Sequence, residues 1–124
     1  MKVREYFASI QRGVLSAPHV IQSDLAFDEI SESECYISGI LTLTGGFELH
    51  VAEYAVSEPK IERLKYRYHL QTNEGVLVAR WDNAAHHPEV STHPYHRHTM
   101  DGQVKPAGAM DILTALEAVI PLIG

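Results

Sequence analysis

The chain has 124 residues, 45% of them hydrophobic and 21% charged, with a formal net charge of −6. That length suits a single domain over residues 1–124 with one modest core, and the acidic balance argues against a generic nucleic-acid binder. No run of about 18 apolar residues could span a membrane, the charged N-terminal segment does not read as a signal peptide, and the lone Cys35 excludes an internal disulfide and a cysteine zinc cage, so a cytoplasmic protein is expected.

Residues 2–15 read as an amphipathic helix, because Val3, Tyr6, Phe7, Ile10 and Val14 recur at helical spacing and Ser16-Ala17-Pro18 ends the pattern. Val20, Leu25, Phe27 and Ile30 indicate a strand with an irregularity, and Ser31 to Glu34 turn the chain. Cys35 to Thr44 alternates, with Cys35, Ile37, Gly39, Leu41 and Leu43 on one face. Gly45-Gly46 is a hairpin signal, after which Phe47, Leu49 and Val51 face one way and His50 and Tyr54 the other.

Lys60 to Gln71 reads as a fourth strand and Val76 to Asp82 as a fifth, joined by a turn at Asn73-Glu74-Gly75. Residues 84–106 then read as one long loop, and a helix from about residue 107 or 110 to Ile120 follows, with Ile112, Leu113, Leu116, Val119 and Ile120 as its buried stripe and Pro121 as its stop. Strands in a run between terminal helices predict an α+β fold, here a five-stranded antiparallel meander. Helices can cover one face of such a sheet and leave the other to bind a ligand.

Charge and histidine are unevenly spread. Residues 60–105 hold seven Lys and Arg against five Asp and Glu, plus six of the eight histidines. The rest of the chain holds three basic residues against eleven acidic ones. On the fourth strand, alternation puts Leu64, Tyr66, Tyr68 and Leu70 on one face and Arg63, Lys65, Arg67 and His69 on the other. The basic row fits a phosphate track; a solvated face that discourages edge pairing fits it as well.

Five histidines, His86, His87, His93, His96 and His98, crowd into thirteen residues. If His96-x-His98 is extended, both rings point one way and Arg97 the other. That spacing suits two metal ligands, and it suits a general acid and base flanking a phosphodiester. Asp82 can cap a turn or orient a loop histidine, Asn83 can cap the same turn, and Trp81 fits a core position. Cleaving RNA without a metal needs a base for the 2′-hydroxyl proton, an acid for the leaving oxygen and cations for the phosphate, roles that His and Arg fill near neutral pH.

On that basis His69, His96 and His98 are the first acid–base candidates and His86 and His87 the next, with Arg80 at the phosphate, Asp82 as orienting group, and Arg63, Lys65, Arg67 and Arg97 as RNA binders. The alternative is a zinc-type or other divalent transition-metal site on His86, His96 and His98, with Asp82 or Glu89 as a further ligand. A third reading is a non-catalytic module whose sheet face holds a protein partner.

At Glu53-Tyr54, Tyr66-Arg67-Tyr68-His69, Arg80-Trp81-Asp82-Asn83-Ala84, His86-His87-Pro88-Glu89 and His93-Pro94-Tyr95-His96-Arg97-His98, the sequence resembles the TumE-type toxins of toxin–antitoxin modules. Ala85 stands where proline is expected and Trp81 where tyrosine is more usual. The resemblance implies a toxin paired with a helix-turn-helix antitoxin, and a fold like the RelE and barnase-like endoribonucleases, which need no metal. The leading expectation is therefore a cofactor-free endoribonuclease that blocks translation by acting on RNA or at the ribosome. A homodimer through the free sheet face or strand edges is left open.

Overall fold

The computed structural model describes residues 1–124. In chain order the elements are α1 (Val3–Leu15), β1 (Val20–Ser31), β2 (Glu34–Leu43), β3 (Phe47–Val56), β4 (Glu62–Thr72), β5 (Leu77–Asp82), β6 (His96–Thr99), β7 (Val104–Pro106), α2 (Ile112–Ala118) and α3 (Ile120–Ile123). The strands form one sheet in the order β1-β2-β3-β4-β5-β6-β7, each antiparallel to its neighbour. The α+β class and the meander agree with the sequence reading, but the sheet has seven strands instead of five.

The two additional strands come from the stretch read as a loop over residues 84–106. β6 and β7 form a hairpin whose turn contains Asp101-Gly102, with Gly102 at φ +84°. Asp-Gly is a strong hairpin signal. It was masked because β6, His-Arg-His-Thr, carries no apolar alternation: its strand positions are filled by site residues.

The core lies on one face of the sheet. Val3, Tyr6, Phe7, Ile10 and Val14 of α1 are all buried, together with Cys35, Ile37, Leu41 and Leu43 of β2, Leu49, Val51 and Ala55 of β3, and Tyr66, Tyr68 and Leu70 of β4. Ile112, Ala115 and Leu116 of α2 join the same cluster. α1 and α2 approach closely at Gly13, where a Cβ would lie 2.5 Å from Leu113 Cδ2.

The C-terminal helix is shorter than expected: α2 ends at Ala118 with Val119 as its cap, and Pro121 sits in the first turn of α3, where its missing N–H is no loss. Ile120 is accordingly exposed and leaves the buried stripe.

β4 corrects the expected basic row. Tyr54 pairs with Lys65, but Ala55 pairs with Arg63, so Leu64 is an extra residue in β4. Such a bulge reverses the side-chain alternation on its far side. Leu64 is therefore exposed instead of sharing the core face with Tyr66 and Tyr68. Arg63 turns to the helix side, donating to Tyr6 Oη at 3.3 Å with its guanidinium 5.9 Å above the Tyr6 ring. Asn83 fastens the bulge: its Oδ1 accepts from Tyr66 N at 2.9 Å and its Nδ2 donates to Leu64 O at 3.1 Å, imitating one more residue of sheet ladder beyond β5.

Candidate active site

Strand pairing assembles the site. Arg67 lies opposite Asp82, and Asp82 opposite His96; in the adjacent row His69 lies opposite Arg80, and Arg80 opposite His98. Alternation projects these side chains from the face away from the helices. Trp81, between Arg80 and Asp82, points into the core.

The chain then folds back over its own strands. Asp82 Oδ1 accepts from Ala84 N at 3.0 Å, which starts the turn. Val90 is buried, and Tyr95 stacks on Tyr66 at 6.4 Å between ring centroids. These anchors bring the His87 ring to 5.0 Å from His96 and 5.5 Å from His98.

At the centre, His96 is 2% exposed and Asp82 7%. His96 Nε2 lies 2.9 Å from Asp82 Oδ1 and is hydrogen-bonded to His98 Nε2 at 3.1 Å. His98 Nε2 lies 3.3 Å from Asp82 Oδ2. The tautomer of His96 follows from its other nitrogen: Nδ1 is 2.9 Å from the Pro94 carbonyl, which can only accept, so Nδ1 carries the proton. His87 Nδ1 is engaged in the same way by Glu89 Oε1 at 3.0 Å. The Arg80 guanidinium approaches Asp82 Oδ2 at 3.6 Å, and its buried Nε has no hydrogen-bond partner.

Burial lowers the pKa of His98 below the usual imidazole value, and the Arg80 charge adds to the shift while Asp82 opposes it. His69 is lowered for the same leading reasons, burial and then Arg80.

The cluster floors a cleft of about 510 Å³. Lys65, Arg67 and Arg80 line it from the sheet, His86 and His87 from the loop, and Tyr36, Ala52 and Glu53 from β2 and β3. The structure thus brings together Lys65, Arg67, Arg80, Asp82, His86, His87, His96 and His98. Three expected residues lie elsewhere. Arg63 is on the helix face because of the bulge. Arg97 lies opposite Trp81, on the other face from His96 and His98. His69 stands outside the cleft beside His50, with ring centroids 6.2 Å apart.

Tyr36, Glu53 and Asn83 line the cleft and were not assigned to it from sequence. Glu53 borders the cleft but turns its carboxyl to the helix side, as its place between Val51 and Ala55 on the inward-facing row indicates; Tyr6 and Tyr68 donate to it there. Tyr36 had a sequence signal as well, since it falls between Cys35 and Ile37 and so on the face opposite the core row. The metal alternative also changes membership, since the imidazoles whose ligand atoms lie within 4.8 Å of one another belong to His87, His96 and His98, with His87 in place of His86.

Residues 10–123 match the family model described as Toxin TumE. No curated protein and no solved structure matches the chain. No helix is long and apolar enough to cross a membrane.

Proposed function

Because the chain belongs to the TumE toxin family, we propose that it arrests growth by endonucleolytic cleavage of RNA, and so blocks translation, with the cleft around Asp82, His96 and His98 as its reaction centre. The observation that carries this reading is the convergence of imidazoles, one carboxylate and one guanidinium in a cleft whose sheet wall is cationic. Phosphodiester cleavage needs this combination: proton transfer at two oxygens and positive charge on the phosphate.

In the proposed reaction the cluster takes the proton of the ribose 2′-hydroxyl. The 2′-oxygen attacks phosphorus in line, the bond to the 5′-oxygen breaks, and that oxygen takes up a proton. A 2′,3′-cyclic phosphate and a 5′-hydroxyl result. Arg80, whose guanidinium lines the cleft beside Asp82, faces the phosphate at the scissile position, and Lys65 and Arg67 hold its neighbours. His86, exposed on the loop side of the cleft, is placed to protonate the leaving oxygen.

A toxin family implies an antitoxin partner. For this chain we propose a helix-turn-helix antitoxin, and RNA, free or on the ribosome, as the target. A kinship with RelE- and barnase-like nucleases belongs to this proposal and supports the reaction class by analogy alone.

Incubation of the purified chain with end-labelled RNA, with and without ribosomes, tests the reading. New fragments ending in a cyclic phosphate are expected, and Asp82→Asn should slow their formation by about 100-fold or more. Absence of fragments under both conditions, or an Asp82→Asn variant as active as wild type, would contradict it.

A further inference from the structure

We infer that His87, His96 and His98 form a binding site for one divalent transition-metal ion of the zinc class, with the Asp82 carboxylate alongside supplying negative charge. The inference names a cofactor for the cleft described above. It rests on the nuclease reading only for what the ion would do there, since binding follows from the arrangement of donors alone. It also takes the zinc-type alternative over a cofactor-free centre, with His87 as a ligand where His86 was expected.

Three features of the cluster point to a metal. The first is spacing. Neighbouring donors in a tetrahedral site with metal–ligand bonds of about 2.0–2.1 Å lie roughly 3.3 Å apart. His96 Nε2 and His98 Nε2 are 3.1 Å apart, Asp82 oxygens lie 2.9 and 3.3 Å from them, and the ligand atoms of all three imidazoles fall within 4.8 Å of one another.

The second feature is the outer ring of partners. A metal-bound histidine normally donates its remote N–H to a carboxylate or carbonyl, which fixes the tautomer and turns the other nitrogen to the ion. His96 Nδ1 has the Pro94 carbonyl at 2.9 Å, and His87 Nδ1 has Glu89 Oε1 at 3.0 Å. With Nδ1 engaged, each ring has its Nε2 left for the cluster.

The third is electrostatic. His96 Nε2 lies 2.9 Å from a carboxylate oxygen and 3.1 Å from His98 Nε2, in a position almost closed to water, so an ion held there would be shared by a carboxylate and imidazoles already in place. Arg80 already shares the Asp82 charge at 3.6 Å. The site is thus a set of imidazoles with a single carboxylate whose charge is shared with Arg80, a nitrogen-rich donor set that favours zinc, cobalt, nickel or copper over magnesium or calcium. The cluster borders the cleft, so a further coordination position opens toward a substrate.

Titration of the chelator-stripped full-length chain with Co²⁺, followed by visible absorption, and competition with Zn²⁺ test the site. One ion per chain with d–d bands is expected. Affinity should fall at least about tenfold in His87→Ala and His98→Ala, fall in Glu89→Gln, and stay within about twofold in His93→Ala, whose ring is exposed and outside the cleft. Circular dichroism of each variant separates loss of ligand from loss of fold, and the half-exposed His87 is the informative position if His98→Ala unfolds. Uptake below about one-tenth of an ion per chain, or undiminished affinity in folded His87→Ala, overturns the site. A chain that binds the ion and cuts no RNA keeps this inference and sinks the nuclease reading; one that cuts RNA and takes up no ion does the reverse.

Discussion

Glu53 shows what a single residue can dictate in this fold. Its carboxyl is 1% exposed beneath α1 and accepts from Tyr6 Oη at 2.5 Å and Tyr68 Oη at 2.6 Å. Burial raises its pKa above the ordinary 4.5, and the two tyrosines and Arg63 only partly oppose that. A raised value in the folded state means that the folded chain holds the proton more tightly than the unfolded chain. Its contribution to stability is full below about pH 4.5 and is lost as pH rises through the folded value. Glu53→Gln should remove this component: the thermal midpoint of wild type should fall relative to the variant as pH rises from about 4.5, and a constant gap across that range would contradict the assignment. At this scale the sequence was partly legible. The i, i+2 spacing of His96 and His98 gave their common direction, because it needs only an extended backbone. Which of His86 and His87 joins them depends on how residues 83–95 are pinned by Val90 and Tyr95, and no periodicity encodes that.

Among the elements, β4 carries the most consequence. One inserted residue, Leu64, divides the expected row of four basic groups into Arg63 on the helix side and Lys65, Arg67 and His69 on the other. Alternation could not reveal this, since a bulge is fixed by pairing with β3 and by the Asn83 clamp. Binding of a 2′-deoxy oligonucleotide, which cannot be cut, separates the two placements. Arg67→Ala should lower affinity and reduce the slope of log K against log salt by about 0.7, the single-strand value for one lost phosphate contact. Arg63→Ala should leave that slope unchanged. Equal slope changes in both variants would put Arg63 back on the track. The five longer strands and both main helices were legible because each carries an apolar face of the right period. The hairpin β6–β7 was not, because β6 devotes its positions to histidine and arginine.

Across the whole molecule, the two sheet faces divide the labour. The helices and most of the core occupy one face, and Asp82, His96, His98 and the cationic wall occupy the other. The acidic balance lies largely outside residues 60–105. This keeps a protein of net charge −6 compatible with an RNA ligand, because the field that a phosphate meets is set locally by Lys65, Arg67 and Arg80. Induced expression in a bacterium lacking the antitoxin gene, comparing wild type with Asp82→Asn and His98→Ala and mapping 5′ ends in total RNA, tests the proposed cleavage at this cleft. Growth arrest with new RNA ends in wild type, and neither in the variants, is the predicted result. Arrest without new ends, or the same ends in all three strains, would contradict it and leave a toxin that acts by binding alone or at another site.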